Sequence, residues 1–194
     1  MKQRNKIQLM TTAALLSAIG ILIPMFAPKI IIGPASFTLA SHVPVFIAMF
    51  ISPYVAIAVA LISGIGFLIS GFPIVIVLRA LSHIVFATVG AFILKKNGSL
   101  LNSTKSTAVF GLFVSLIHAV FEVGVVTFFY LGSGMTSIYY EKGYLFTVVG
   151  LVGLGTVIHS MIDYTIALLV WNPLQSIVSI PASVKRVRRH SQIR

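Results

Sequence analysis

The stretch PIVIVLRALSHIVFATVGAFIL, residues 73–94, reads as one helix crossing a bilayer, yet it carries Arg79 and His83 near its middle. Roughly 20 apolar helical residues span the hydrocarbon. Pro73 stands where a helix starts, a place proline tolerates, and Lys95 and Lys96 close the run. Arg79 and His83 are four apart, so they share one helix face about one turn from each other. Ionisable groups at membrane depth are costly and usually face a bundle interior or a wet cavity. The stretch therefore needs other helices around that face.

Two further stretches repeat the arrangement. His118 and Glu122 lie in residues 107–131, and His159 and Asp163 lie in residues 144–171. Three helices each bring a polar pair, which points to one internal polar site that holds a polar ligand.

Composition agrees with a membrane protein. Hydrophobic residues make up 58% of the 194 residues and charged residues 9%, against about 25% charged in a soluble domain. The fold class is all-α, a polytopic membrane bundle filling one domain, residues 1–194. Six spans are expected, at about 7–26, 37–51, 54–70, 73–94, 107–131 and 144–171, followed by a basic tail, 172–194. Pro53 also stands at a helix start, and Asn97-Gly98-Ser99 and Leu131-Gly132-Ser133-Gly134 are turn chemistry. Cleavage of a leader is not expected, because Pro24 and Pro28 crowd the position a small-residue cleavage site would occupy.

The net charge is +11, and its placement carries the information. Six spans put both ends on one side. That side holds Lys2, Arg4 and Lys6, then Lys95, Lys96 and Lys105, then Lys185, Arg186, Arg188, Arg189 and Arg194. The other side holds Lys29 and Lys142. By the positive-inside rule both termini are cytoplasmic, in a multi-pass protein of the cell membrane. The cations flank apolar spans and form no continuous groove, so the lipid bilayer and not nucleic acid is the partner. Cysteine is absent, which excludes disulfides and thiolate chemistry.

The loop after the first span, Pro28-Lys29-Ile30-Ile31-Ile32-Gly33-Pro34, is apolar, β-branched and bracketed by prolines, so helix is disfavoured there. A loop this apolar prefers to fold down on the bundle. It reads either as a lid over the ligand cavity, with Ile30, Ile31 and Ile32 facing it, or as a packing plug.

Depth follows from a rise of about 1.5 Å per residue. Arg79 then lies roughly 9 Å below the outer end of its span and Glu122 roughly 13 Å below the end of its own. Two readings stay open for this pair: an internal ion pair that neutralises both, or an arginine that faces the cavity and holds a ligand carboxylate. They are compatible if ligand and Glu122 share the guanidinium. His42, His83, His118 and His159 are each either hydrogen-bonded packing residues or ligand contacts. Histidine with a carboxylate at four residues' spacing also suits zinc or nickel. No H-E-x-x-H pattern occurs, however, and an arginine in the cluster disfavours a cation, so neither a metal nor another cofactor is expected. Asp163 lies nearer the inner end, about eight residues before Trp171, and reads as a structural bond to a neighbouring helix. On the first span Ala14 and Ala18 make a small-xxx-small face that lets another helix approach. No phosphate-binding loop, paired catalytic carboxylates or nucleophile elbow appears, so no catalytic residue is assigned.

The short spans, the alanine face, the long first outer loop and the missing ATPase together resemble the substrate-binding S components of energy-coupling factor (ECF) vitamin transporters. Residues 35–44 (ASFTLASHVP), 46–53 (FIAMFISP) and 71–83 (GFPIVIVLRALSH) are similar to the niacin-specific branch. The resemblance implies a six-helix S-component bundle that binds a vitamin from outside, under the first loop and between spans 4 to 6. It implies association with a transmembrane coupling protein and two cytosolic ATPase subunits, with Ala14 and Ala18 matching the motif that contacts the coupling protein. Nicotinate would then meet Arg79 through its carboxylate, a histidine through its ring nitrogen, and the apolar lining or Tyr130 through its face. Two alternatives remain at this stage: the same scaffold for another anionic vitamin such as pantothenate, and an integral-membrane enzyme using His118, Glu122 and His159.

Overall fold

The computed structural model describes residues 2–32, 35–177 and 182–184; the basic run from Lys185 onward and the loop pair Gly33 and Pro34 lie outside the described residues. Helix α1 (Lys2–Phe26) starts before the expected Ile7, so Arg4 and Lys6 ride on the helix itself. The β-branched run after it pairs as an antiparallel hairpin, β1 (Lys29–Ile32) with β2 (Ala35–Thr38), in the register Lys29↔Thr38 and Ile30↔Phe37. This is the part of an otherwise helical chain where side-chain branching and proline both oppose helix.

The second span differs from the expectation. Helix α2 is Val43–Ile51, because Phe37 and Thr38 belong to β2 and the four residues after them turn. Nine residues rise about 14 Å, less than half of the ~30 Å hydrocarbon thickness. All nine are buried, so α2 is a central plug wrapped by the other helices. Ser52 ends α2 and starts α3 (Pro53–Ile69): its Oγ accepts from Val55 N–H at 3.3 Å, with Pro53 at the first helical position. Gly71, at φ +76°, turns the chain into α4 (Ile74–Lys96). Helix α5 (Thr104–Leu131) follows a short 3₁₀ turn.

The last helical stretch begins as a ten-residue π-helix, Leu145–Leu154, and continues as α6 (Gly155–Ile177). A Cβ on Gly155 would stand 2.5 Å from the Phe37 ring, so a glycine there admits the hairpin against α6. π-turns concentrate at functional sites, and this one ends beside Thr156 and His159.

Among the described residues, four helical stretches are long and apolar enough to cross a membrane: Gln3–Phe26, Ile74–Lys96, Thr104–Leu131 and Leu145–Gln175. Large apolar side chains such as Met10, Tyr54, Ile69, Phe128 and Leu131 are exposed around the bundle, as lipid contact requires. Inside, the two ends differ. Away from the hairpin, Phe46, Phe50, Phe86, Tyr164 and Trp171 fill a dry core. Trp171 is fully buried against Phe50 instead of marking a headgroup interface. Residues 182–184 fold back over this end: Ser183 N–H donates to Ile51 O at 2.8 Å and Val184 N–H to Phe50 O at 3.3 Å, satisfying carbonyls at the end of α2. At the hairpin end the interior is polar and hollow.

Candidate ligand-binding cavity

A cavity of about 90 Å³ opens beneath the hairpin. At about 10–15 Å³ per water, that is room for a single small molecule. All six helices reach it. Gly20 and Pro24 come from α1, Val45 from α2, Ser63 and Phe67 from α3, and Thr156 and His159 from α6. Helices α4 and α5 supply the charges, Arg79 and Glu122, together with His83 and His118. The roof is β2, Ser36 to Thr38, with Ser41 from the turn behind it; His42 from the same turn reaches down among the other cavity histidines at the floor, and Lys29 and Phe72 stand at the rim.

Arg79 and Glu122 form an ion pair through Nε and Oε2. The other carboxylate oxygen, Oε1, lies 3.4 Å from His83 Nε2 and 3.4 Å from His118 Nε2. His42 sits between the three other histidines, its ring centroid 4.7–4.9 Å from those of His83, His118 and His159. One nitrogen from each of His42, His83 and His118 lies within 4.8 Å of the others, and the same holds for His42, His159 and a carboxylate oxygen of Asp163.

Asp163 is fully buried and acts on backbone. Oδ1 accepts from Ala40 N–H at 2.8 Å, and Oδ2 accepts from His42 N–H at 2.9 Å and faces His42 Nδ1 at 3.0 Å. It ties the turn between β2 and α2 to α6 and thereby fixes the His42 ring. His159 is four residues back, with Nε2 3.3 Å from the same oxygen and 3.2 Å from Ser41 Oγ.

Six residues expected at the site therefore meet here: His42, Arg79, His83, His118, Glu122 and His159. Tyr130 does not join them. It lies eight residues beyond Glu122, which is two turns up and about 80° round the helix. There its ring packs on Tyr140 and Tyr144, at 4.6 and 5.5 Å. Ile30 is 65% exposed and does not line the cavity; the hairpin residues that do are Lys29, Ser36, Phe37 and Thr38. Ala14 and Ala18 are exposed on α1, while Ala13 and Ser17 turn inward.

Sequence reasoning missed much of the lining, Phe37, Ser41, Lys29, Ser63 and Thr156 among it. Lys29 counted only as a topological charge, although a lone cation inside an isoleucine run was a signal. Ser63 and Thr156 carried no signal above background. Both residues line the cavity, and their buried hydroxyls have no hydrogen-bond partner among the described residues.

No model of a known protein family matches the chain, and no solved structure matches it. The curated niacin transporter NiaX of Lactococcus lactis subsp. cremoris (strain MG1363) is 44% identical over 173 residues, covering 89% of this chain and 77% of that protein. Identity at that level over nearly the whole chain includes the helices that build the cavity, and the protein belongs with NiaX to the S components of energy-coupling factor transporters, multi-pass membrane proteins of vitamin uptake.

Proposed function

We propose that this chain captures niacin, as nicotinate, from outside the cell and delivers it for ATP-driven uptake. The observation that carries the reading is an arginine at membrane depth opening onto a small cavity with an aromatic roof. The likeness to a niacin transporter supports it. The ligand carboxylate shares Arg79 with Glu122, and Lys29 at the rim draws it in. The ring lies against Phe37, and Ser41 or His159 meets its nitrogen. His42, His83 and His118 form the floor. Ser63 and Thr156 offer the hydroxyls that lack partners.

The same reading covers the frame. The chain is one membrane domain, residues 1–194, crossing six times with both termini cytoplasmic; α2 completes its crossing through the hairpin and turn before it. Lys29 and the cavity mouth then face outward. The hairpin with Ile30, Ile31 and Ile32 serves as the lid. Ala14 and Ala18, side by side on the exposed face of α1, let the transmembrane coupling protein approach closely, and that protein connects to two cytosolic ATPases.

Calorimetry on the detergent-purified chain tests the ligand. Nicotinic acid binds tightly and nicotinamide at least about tenfold more weakly, because the amide forfeits a charge-assisted contact worth ~1.5–3 kcal/mol. Equal affinity for acid and amide would remove Arg79 as the anchor. Leucine at Ala14 spares this binding and blocks uptake by cells holding the partners; undiminished uptake would remove that face as the docking site.

A further inference from the structure

We propose that the floor of the cavity is a binding site for a transition-metal ion of the zinc class, held by His42, His83 and His118 with Glu122 as the carboxylate partner.

Distances come first. Zinc binds histidine nitrogen and carboxylate oxygen at about 2.0–2.2 Å, which sets tetrahedral ligand atoms about 3.3–3.5 Å apart. Glu122 Oε1 is 3.4 Å from His83 Nε2 and 3.4 Å from His118 Nε2. One nitrogen from each of the three histidines lies within 4.8 Å of the others, so small ring rotations close the set.

The second point is an orphaned atom. His118 is 1% exposed, and its Nε2 has no hydrogen-bond partner; the approach of Glu122 lacks the alignment of one. A buried polar atom without a partner is costly. A metal ion would satisfy it.

The outer contacts are those of metal-ligating histidines. Such a histidine almost always gives its other ring nitrogen to a carboxylate or another polar group, which fixes ring and tautomer. His42 Nδ1 lies 3.0 Å from Asp163 Oδ2, and His118 Nδ1 lies 3.0 Å from Ser160 Oγ. Asp163 can only accept, so His42 Nδ1 donates and its Nε2 carries the lone pair; Ser160 Oγ can accept from His118 Nδ1 and leave the His118 Nε2 lone pair free for a metal.

Charge gives the fourth. At the floor Arg79 stands alone against Glu122 and Asp163. With Lys29 at the rim, an anionic ligand would bring three negative charges against two positive. A divalent ion reverses that balance and makes a carboxylate welcome. The objection that an arginine repels a cation loses force here. Arg79 takes Oε2 of Glu122, which leaves Oε1 on the side of the histidines. The metal site stands without the niacin reading. That the ion also draws the ligand, by accepting its carboxylate or ring nitrogen, rests on that reading.

The test uses the full chain in detergent, purified on a tag without histidines, stripped with a chelator and loaded with zinc or cobalt. We expect one ion per chain, the visible ligand-field bands of four-coordinate cobalt, and a change in those bands on adding nicotinate. Chelation lowers nicotinate affinity by at least about tenfold, in keeping with the effect of losing a metal's support. Ser160→Ala, which removes only the hydroxyl on His118, weakens metal affinity by about 10–100-fold and lowers the metal-free melting temperature by no more than the few degrees that one buried hydrogen bond is worth. A stripped chain that binds nicotinate as tightly as before and takes up neither ion would overturn the proposal. So would cobalt binding that Ser160→Ala and His118→Gln both leave intact, because the ion would then sit elsewhere. Cobalt bound through these residues with no nicotinate binding would uphold the metal site and remove niacin instead.

Discussion

Glu122 and Asp163 are both buried, on neighbouring helices, and each stands four residues after a histidine; what they hold is different. Glu122 holds a charge: Arg79 on one oxygen, two histidines on the other. Asp163 holds a shape: two backbone N–H groups and the ring of His42, more than 100 residues away in sequence. The first neighbourhood faces the cavity and can exchange partners with a ligand. The second lies behind the histidines and keeps them in place. Equal spacing in sequence thus produced one cavity-facing charge partner and one structural anchor. What separates them is the identity of the opposing partner, side chain against main chain.

Charge relationships can be repaired by removing the other charge, which gives the sharpest test of the contrast. Arg79→Ala leaves the Glu122 carboxylate buried beside neutral rings. It should cost about 3–5 kcal/mol of stability and abolish nicotinate binding. Adding Glu122→Gln should restore most of the lost stability and none of the binding. Thermal unfolding in detergent with calorimetry on the same samples reads both. A double variant no more stable than the single one would mean that Glu122 also depends on shape, and the contrast would fail.

Asp163→Asn is the matching change on the other side. The two backbone N–H groups donate to different oxygens, so an amide must turn its NH₂ toward one of them whichever way it flips. One buried donor loses its acceptor and meets another donor, at about 2–4 kcal/mol. On a chain of this size that is roughly a 5–15 °C fall in melting temperature. His42→Ala, which removes the opposing ring, should not rescue it, because the backbone donors remain. A rescue would show that the ring and not the turn is what Asp163 holds.

The contrast also marks what could be read from sequence. The meeting of Arg79 and Glu122 was legible, because helical rise alone puts them at similar depth and an unpaired arginine is untenable there. Three polar pairs at helical spacing announced an interior site, and Lys95 and Lys96 marked the end of α4. The hairpin was legible only as a place that helix avoids, since which strand pairs with which depends on a two-residue turn. The second span already read as short, with Pro44 inside it; that its helix begins only at Val43 was hidden because residues 37–40 have no charge or breaker to mark them as strand and turn. Tyr130 was named only as a ring face the ligand could meet, and its place on α5, two turns beyond Glu122 and about 80° round the helix, carries it away from the cavity. That Asp163 is structural was legible from its depth, but its partners were not, because they lie in a turn and not on a neighbouring helix, and they are main-chain N–H groups that any residue supplies. His42 likewise gave no sign that it would be the hub, which depends on the turn that Asp163 clamps.

That turn gives the smallest effect and the finest test of the anchor. Ala40 sits at φ 66°, a left-handed conformation that costs an L-residue about 1–2 kcal/mol. Its N–H is one of the two that Asp163 accepts. Glycine would relieve the strain but would pay ~0.5–1 kcal/mol in added freedom of the unfolded chain. Ala40→Gly should therefore raise stability by only about 0.5 kcal/mol, with ligand affinity unchanged. The informative measurement is the same substitution made with Asp163→Asn. If the carboxylate is what holds Ala40 in the left-handed region, the turn relaxes once the clamp is weakened, and glycine then has no strain to relieve. The gain should shrink to nothing or change sign, a coupling that neighbouring sites in one network are expected to show. An undiminished gain would mean that the turn is held by the hairpin and α2 alone, and that Asp163 rests on a geometry it does not create.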